Sequence, residues 1–148
     1  MAFDNEVSIS MSSKSQNEAF ARVVAAAFIA PLDPLVNDLT DIKTAVSEAV
    51  TNAIIHGYEG KDGKVRLDFK IEGEDVTVQV SDDGVGIADV AQAMTPLYTS
   101  KPEMERSGMG FTVMETFMDS VDVVSEPGKG TRVVMKKRIA KVEEPFKM

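Results

Sequence analysis

The strongest constraint on the fold lies in residues 64–84, "KVRLDFKIEGEDVTVQVSDDG". Val65, Leu67, Phe69 and Ile71 alternate with charged residues, and Val76, Val78 and Val80 alternate again after "EGED". Successive strand side chains point to opposite faces, so a period of two marks a strand with one buried face. Two such runs joined by a short glycine-containing segment predict an antiparallel hairpin. Its apolar face must then be covered by another layer.

The remaining segments supply that layer. "EVSISMS" (6–12) alternates Val7, Ile9 and Met11 and predicts a half-buried strand. Ser15 and Glu18 have capping-box spacing and predict a helix start. The expected core face of this helix is Phe20, Val23, Val24, Ala27 and Phe28. Pro31 and Pro34 end it and open the next, with Asp33 as cap and Pro34 at the first helical position. The second helix is expected from about 35 to 56, with Leu39, Ile42, Val46, Ala49, Val50 and Ala53 as its stripe and Gly57 as its end. Residues 89–94 predict a short helix and 110–119 a further one. The polar segment between them, "TPLYTSKPEMERSG", reads as a functional loop or lid. "VDVVSE", a "PGKG" turn and "TRVVMKKRI" predict a second hairpin. The expected class is α+β: a two-layer sandwich, a largely antiparallel mixed sheet with helices packed on one face.

At 148 residues the chain fits one domain, 1–148, with residues from about 140 expected to form a loosely ordered tail. The net charge of −8 argues against a nucleic-acid partner, since phosphate binding rests on Lys and Arg. Without cysteine the chain forms no disulfide or thiolate metal site. The N-terminus has no signal-peptide pattern, and the longest apolar run, "VVAAAFIA", is too short to span a bilayer. The expectation is a cytoplasmic protein with no membrane partner.

Four short stretches carry candidate chemistry. In "SEAVTNAIIHGYEG" (47–60), Glu48, Asn52 and His56 recur every four residues, a drift of about 40° on an α-helix. They form either a solvated polar face or a ligand-facing column beside the apolar stripe. "DDGVGI" (82–87) follows a strand: Asp82 offers an acceptor-only carboxylate, and Gly84 and Gly86 permit close backbone approach. The alternative is a tight turn with solvated Asp residues. "RSGMGF" (106–111) opens a helix with small residues whose N–H groups suit an anion, with Lys101 and Arg106 upstream within reach of phosphate; a simple helix cap is the alternative. "GKGT" (128–131) alone is a hairpin turn. Neither a complete dinucleotide fingerprint nor a Walker A sequence occurs.

Taken in order, E-x-x-x-N-x-x-x-H-G, D-x-G-x-G-I, a lid ending G-M-G-F, and G-x-G-T resemble the Bergerat-type ATP-binding fold. With "PLYTSKPEMERSGMGFTVMETFMD" and "NEAFARVVAAAF", residues 5–138 are similar to the sporulation anti-sigma F factor family. That resemblance implies ATP/ADP and Mg2+ as cofactors. It implies a sigma factor of the sigma F type and an anti-anti-sigma protein as partners, the latter phosphorylated on serine. Asn52 matches the Mg2+ ligand, Asp82 the acceptor of the adenine amino group, and Thr131 a residue beside the adenine. Gly84 and Gly86 match the pocket wall; Ser107, Gly108 and Gly110 match the phosphate-cradling lid; Arg106 matches an arginine near the γ-phosphate. Glu48 is the expected general base, and His56 is expected to orient the helix end. The family's first helix meets both partners. Here Glu18, Arg22, Ala25, Ala26 and Ile29 lie opposite the expected core face, with Glu18 and Arg22 as docking residues. The family is also homodimeric near its first strand. Competing readings are an ATP-switched binding module with little catalysis, a related stress-response kinase, and a detached sensor-kinase domain, which would lack its phospho-accepting histidine hairpin.

Overall fold

The computed structural model describes residues 4–94 and 110–139. The two hairpins form as expected: β2 (Lys64–Glu72) with β3 (Asp75–Asp82), and β4 (Ser120–Ser125) with β5 (Thr131–Arg138). With β1 (Asp4–Ser12) they make a five-stranded sheet in the order β1-β2-β3-β5-β4. All four pairings are antiparallel, so the sheet is not mixed among the described residues. Phe69 stands opposite Val78, which stands opposite Met135, and all three are buried. One residue along, Lys70, Thr77 and Lys136 align on the opposite, wetter face. The period of two thus separates a dry face from a wet one. Each large apolar side chain buried there contributes about 1.5–3 kcal/mol.

The helices α1 (Gln16–Ile29), α2 (Val36–Asn52) and α4 (Gly110–Phe117) are packed with α2 between α1 and α4. A four-residue helix, α3 (Val90–Ala93), is capped by Asp89, which accepts from Gln92 N–H at 3.0 Å. The stripe of α2 is as expected: Ile42, Val46, Ala49, Val50 and Ala53 are buried, Ala45 joins them, and Leu39 is partly buried. Lys137 ties its start to the neighbouring elements. Its ammonium lies 3.9 Å from Asp38 and 3.7 Å from Asp41 on α2, and donates to Phe117 O at 2.9 Å at the end of α4.

Helix α1 corrects the sequence reading. Its buried residues are Ala21, Ala25, Phe28 and Ile29, whereas Phe20 is 54% and Val23 64% exposed. Ala27 is exposed too, and only Val24 and Phe28 of the expected core face meet the core. Ala25 and Ile29, expected on a docking face, are interior. The helix is apolar nearly all round, so more than one set satisfies the helical spacing. Small Ala21 and Ala25 let it lie close, and Phe28 reaches Phe69 at a ring-centroid distance of 5.5 Å.

The expected caps also differ. Ser15 has helical dihedrals and makes no side-chain cap, and Glu18 bonds Ser47 and Arg22 instead. Asp33 ends a 3-10 turn, Ala30–Leu32, in the left-handed region (φ 50), and Leu35 is the N-cap of α2. A longer-range partner has taken the carboxylate that the local motif reserved.

Candidate functional site

The site forms where the end of α2 meets the end of β3. The α-helix stops at Asn52, and Ala53–Gly57 continue as a π turn. Tyr58 N–H donates to Ala53 O at 3.0 Å, closing a ring one residue wider than an α-helical bond. Glu48 and Asn52 therefore share the expected column, but His56 lies in the widened turn and leaves it. Both Glu48 and His56 are half-buried, and each interacts with neighbouring groups.

The wider turn brings Gly57 against Asp82. A Cβ on Gly57 would stand 2.8 Å from Asp82 Cγ. Gly57 O accepts from Val85 N–H at 2.9 Å, and a Cβ on Gly84 would lie only 2.0 Å from that same oxygen. The H-G and D-x-G motifs, remote in sequence, are thus two sides of one contact. Gly84→Ala is expected to force the loop off the helix end and cost about 2–4 kcal/mol of stability. A denaturant melt with an unchanged midpoint would contradict this packing account.

Asp82 is 8% exposed and sits opposite Thr131, itself 9% exposed, on the neighbouring strand. Its carboxylate accepts from Gly84 N–H at 2.9 Å and from the Thr131 backbone. Burial pushes the Asp82 carboxyl above the ordinary carboxylate range, and nearby Asp83 adds to the rise. The two backbone hydrogen bonds oppose the shift without cancelling it.

Two residues that sequence reasoning missed, Tyr58 and Ser125, brace this end. Tyr58 donates its hydroxyl to Lys64 O and accepts from Asp83 N–H at 2.8 Å. Its ring lies over Gly63, where a Cβ would collide at 2.2 Å. Ser125 accepts from Ile87 N–H at 2.7 Å, donates to Gly130 O at 2.9 Å, and lies 2.8 Å from Thr131 Oγ1. Neither had a visible signal, whereas Gly57 was already marked as the glycine closing the helical motif.

The structure brings Asp82, Gly84, Gly86 and Thr131 together beside the end of α2. Asn52 is five residues before Gly57, roughly 7 Å back along the helix axis. Gly110 is buried at the first position of α4. Lys101, Arg106, Ser107 and Gly108 fall outside the described residues. Glu18 and Arg22 pair with each other on α1, away from these motifs in sequence. Among the described residues no three His, Asp or Glu side chains converge as a metal cage, and no helix is long and apolar enough to cross a membrane.

Residues 11–137 match the family model of the histidine kinase-like ATPase domain. The chain is 62% identical over 135 residues to an anti-sigma F factor of Clostridium kluyveri, covering 91% of this chain and 95% of that relative. The chain belongs to the anti-sigma F factor family. A family member from Clostridium beijerinckii is 61% identical over 136 residues, again covering 91% and 95% of the two chains. The family's fold recurs in the crystal structure of the RsbU and RsbW domains of a Mycobacterium tuberculosis protein, at TM-score 0.67 and 19% identity. That match covers 91% of this chain and 32% of the other. Full-length ShkA in complex with AMPPNP shares it at TM-score 0.58 and 20% identity, over 87% and 31% of the chains.

Proposed function

We propose that this family member binds Mg2+-ATP, inhibits a sigma factor of the sigma F type, and phosphorylates a serine of an anti-anti-sigma protein to inactivate it. The observation that carries the nucleotide reading is Asp82. A buried carboxylate with two backbone donors still has acceptor capacity, and an adenine amino group supplies the missing donor. Guanine presents a carbonyl at that position and would be rejected. Thr131 lies beside the adenine, and Gly84 and Gly86 form the wall.

Asn52 would hold Mg2+ through its amide oxygen, the remaining ligands being phosphate and water oxygens. Bound ATP supplies the phosphoryl group. Glu48, one turn before Asn52, takes the proton of the incoming serine hydroxyl. The family motif assigns Ser107, Gly108 and Gly110 to the phosphates, with Lys101 and Arg106 as basic partners and Arg106 to offset charge developing at the γ-phosphate. Much of the acceleration in such a reaction comes from positioning and charge stabilisation.

For the protein partners, the family name of the relatives supports a sigma factor, and the ion pair of Glu18 and Arg22 on α1 supplies a polar docking point. The deciding experiment offers radiolabelled ATP with a candidate anti-anti-sigma protein. Label is expected on a partner serine, and Arg22→Glu is expected to lose transfer and sigma-factor binding while still binding ATP. ATP binding without any transfer would overturn the kinase reading in favour of an ATP-switched binding module.

A second copy of the chain is the proposed partner for the first strand. Val7 on edge strand β1 is 37% exposed, and α1, which contacts β1, exposes Phe20 and Val23. Light scattering at micromolar concentration should read two chains; the mass of one chain would overturn the dimer.

A further inference from the structure

The docking helix and the helix of the candidate base are joined by a chain of polar contacts. Arg22 Nε is shielded from water and lies 2.9 Å from Glu18 Oε1, and Arg22 Nη2 donates to Glu18 Oε2 at 3.3 Å. The same Glu18 Oε1 accepts the hydroxyl of Ser47 on α2. Ser47 is adjacent to Glu48 in sequence, about 100° round the helix. Ser47 thus faces α1 while Glu48 faces another direction on the same turn.

We infer that Ser47, Glu18 and Arg22 form a positioning chain that sets the rotation of α2 and thereby the placement of Glu48. The inference rests on the reading of Glu48 as general base. Polar tethers link helix α2 to its neighbours. Lys137 holds its first turns through Asp38 and Asp41, and Ser47–Glu18 holds the turn that carries Glu48. Apolar packing along the stripe resists separation, but it tolerates small rotation better than a directional hydrogen bond does. The outer end of the chain is Arg22, whose side chain is 42% exposed. A partner carboxylate that engages this guanidinium competes with Glu18. The Glu18–Ser47 bond then changes, and with it the angle of α2. Partner docking on α1 is in this way linked to turnover on α2. Ser47 touches no reacting atom in this scheme and is a positioning residue.

The test separates positioning from folding and from docking. Ser47→Ala is expected to lower kcat for transfer to the serine substrate roughly ten-fold, since small misplacements of reacting groups carry large rate penalties. The dissociation constant for ATP should stay at the wild-type value. Ser47→Thr, which keeps the hydroxyl, should restore kcat. In a double-mutant cycle at saturating substrate, Arg22→Ala and Ser47→Ala should combine to less than the product of their separate effects on kcat. A kcat for Ser47→Ala within about two-fold of wild type, or a loss that Ser47→Thr does not repair, overturns the inference. The parent reading is distinguished by Glu48→Gln. If that variant keeps transfer, the base assignment itself fails. If it abolishes transfer while Ser47→Ala is normal, only the positioning chain fails.

Discussion

Glu48→Gln is expected to retain ATP binding within about three-fold of wild type and to lower phosphoryl transfer by roughly 10²–10⁴-fold, the range that a general base supplies. Glutamine keeps the size and the carbonyl oxygen of glutamate and removes its basicity. The helix should therefore survive, because Glu48 is half-buried beside a stripe formed by Ala45, Val46, Ala49 and Val50, not within it. Equilibrium titration with a fluorescent ATP analogue reads the first half of this expectation. Single-turnover transfer of labelled phosphate reads the second. Transfer at the wild-type rate in Glu48→Gln would remove Glu48 from the chemistry. The acid–base work of transfer would then be done elsewhere or not be needed.

Asp82→Asn should weaken ATP binding by roughly 10- to 100-fold, the loss of one hydrogen bond to a charged group. It should also change how stability depends on pH, and the sign follows from burial. Burial raises the folded-state pKa of Asp82 above its unfolded value. The folded chain then holds the proton more tightly than the unfolded chain does. This stabilising contribution is complete below the unfolded pKa and is lost as pH rises through the folded pKa. The asparagine variant has no such titration. Its stability relative to wild type should therefore rise with pH, beginning near the ordinary carboxylate range of about 4. Denaturant melts of both proteins without nucleotide, at a series of pH values, check this. A stability difference that is flat with pH would mean that Asp82 is hydrated in the folded chain. Tight ATP binding by the variant would show that its carboxylate is not the adenine acceptor.

The two hairpins were legible because a strand with one wet face encodes its orientation in every second residue. Val65 to Ile71 and Val76 to Val80 put their apolar side inward in the observed pairing, Ile71 opposite Val76 and Leu67 opposite Val80, an offset set by the short turn between the strands. Helix α2 was legible for the same reason, since polar Asp38, Asp41 and Glu48 flank its stripe. Helix α1 was not. With Phe20, Val23, Val24, Ala25, Ala27, Phe28 and Ile29 spread around it, periodicity could not tell core from surface, and close approach through Ala21 and Ala25 decided the matter. The same limit applied to its start. Ser15 and Glu18 have the spacing of a capping box, yet Glu18 bonds Ser47, a residue 29 positions away.

The motifs of the site were visible one at a time, but their contacts were not. Gly57 looked like a helix end; it is where Asp82 and Gly84 close on α2. The π turn had no signature in the sequence, and it takes His56 out of the column that Glu48 and Asn52 keep. Tyr58 and Ser125 carried no local sign of their bracing roles, because the backbone groups they bond come from other elements.

By itself, the sequence determined the strands, the sheet's inner face, the stripe of α2 and the motif order that marks the anti-sigma F factor family. These are local or periodic properties, fixed by side-chain alternation and by residue types at short spacing. Tertiary structure alone decided which side of α1 is buried, which partner Glu18 takes, and how the end of α2 widens to meet Asp82. Each of these is a competition between near-equal local options, and it is settled by packing and hydrogen bonds between residues far apart along the chain.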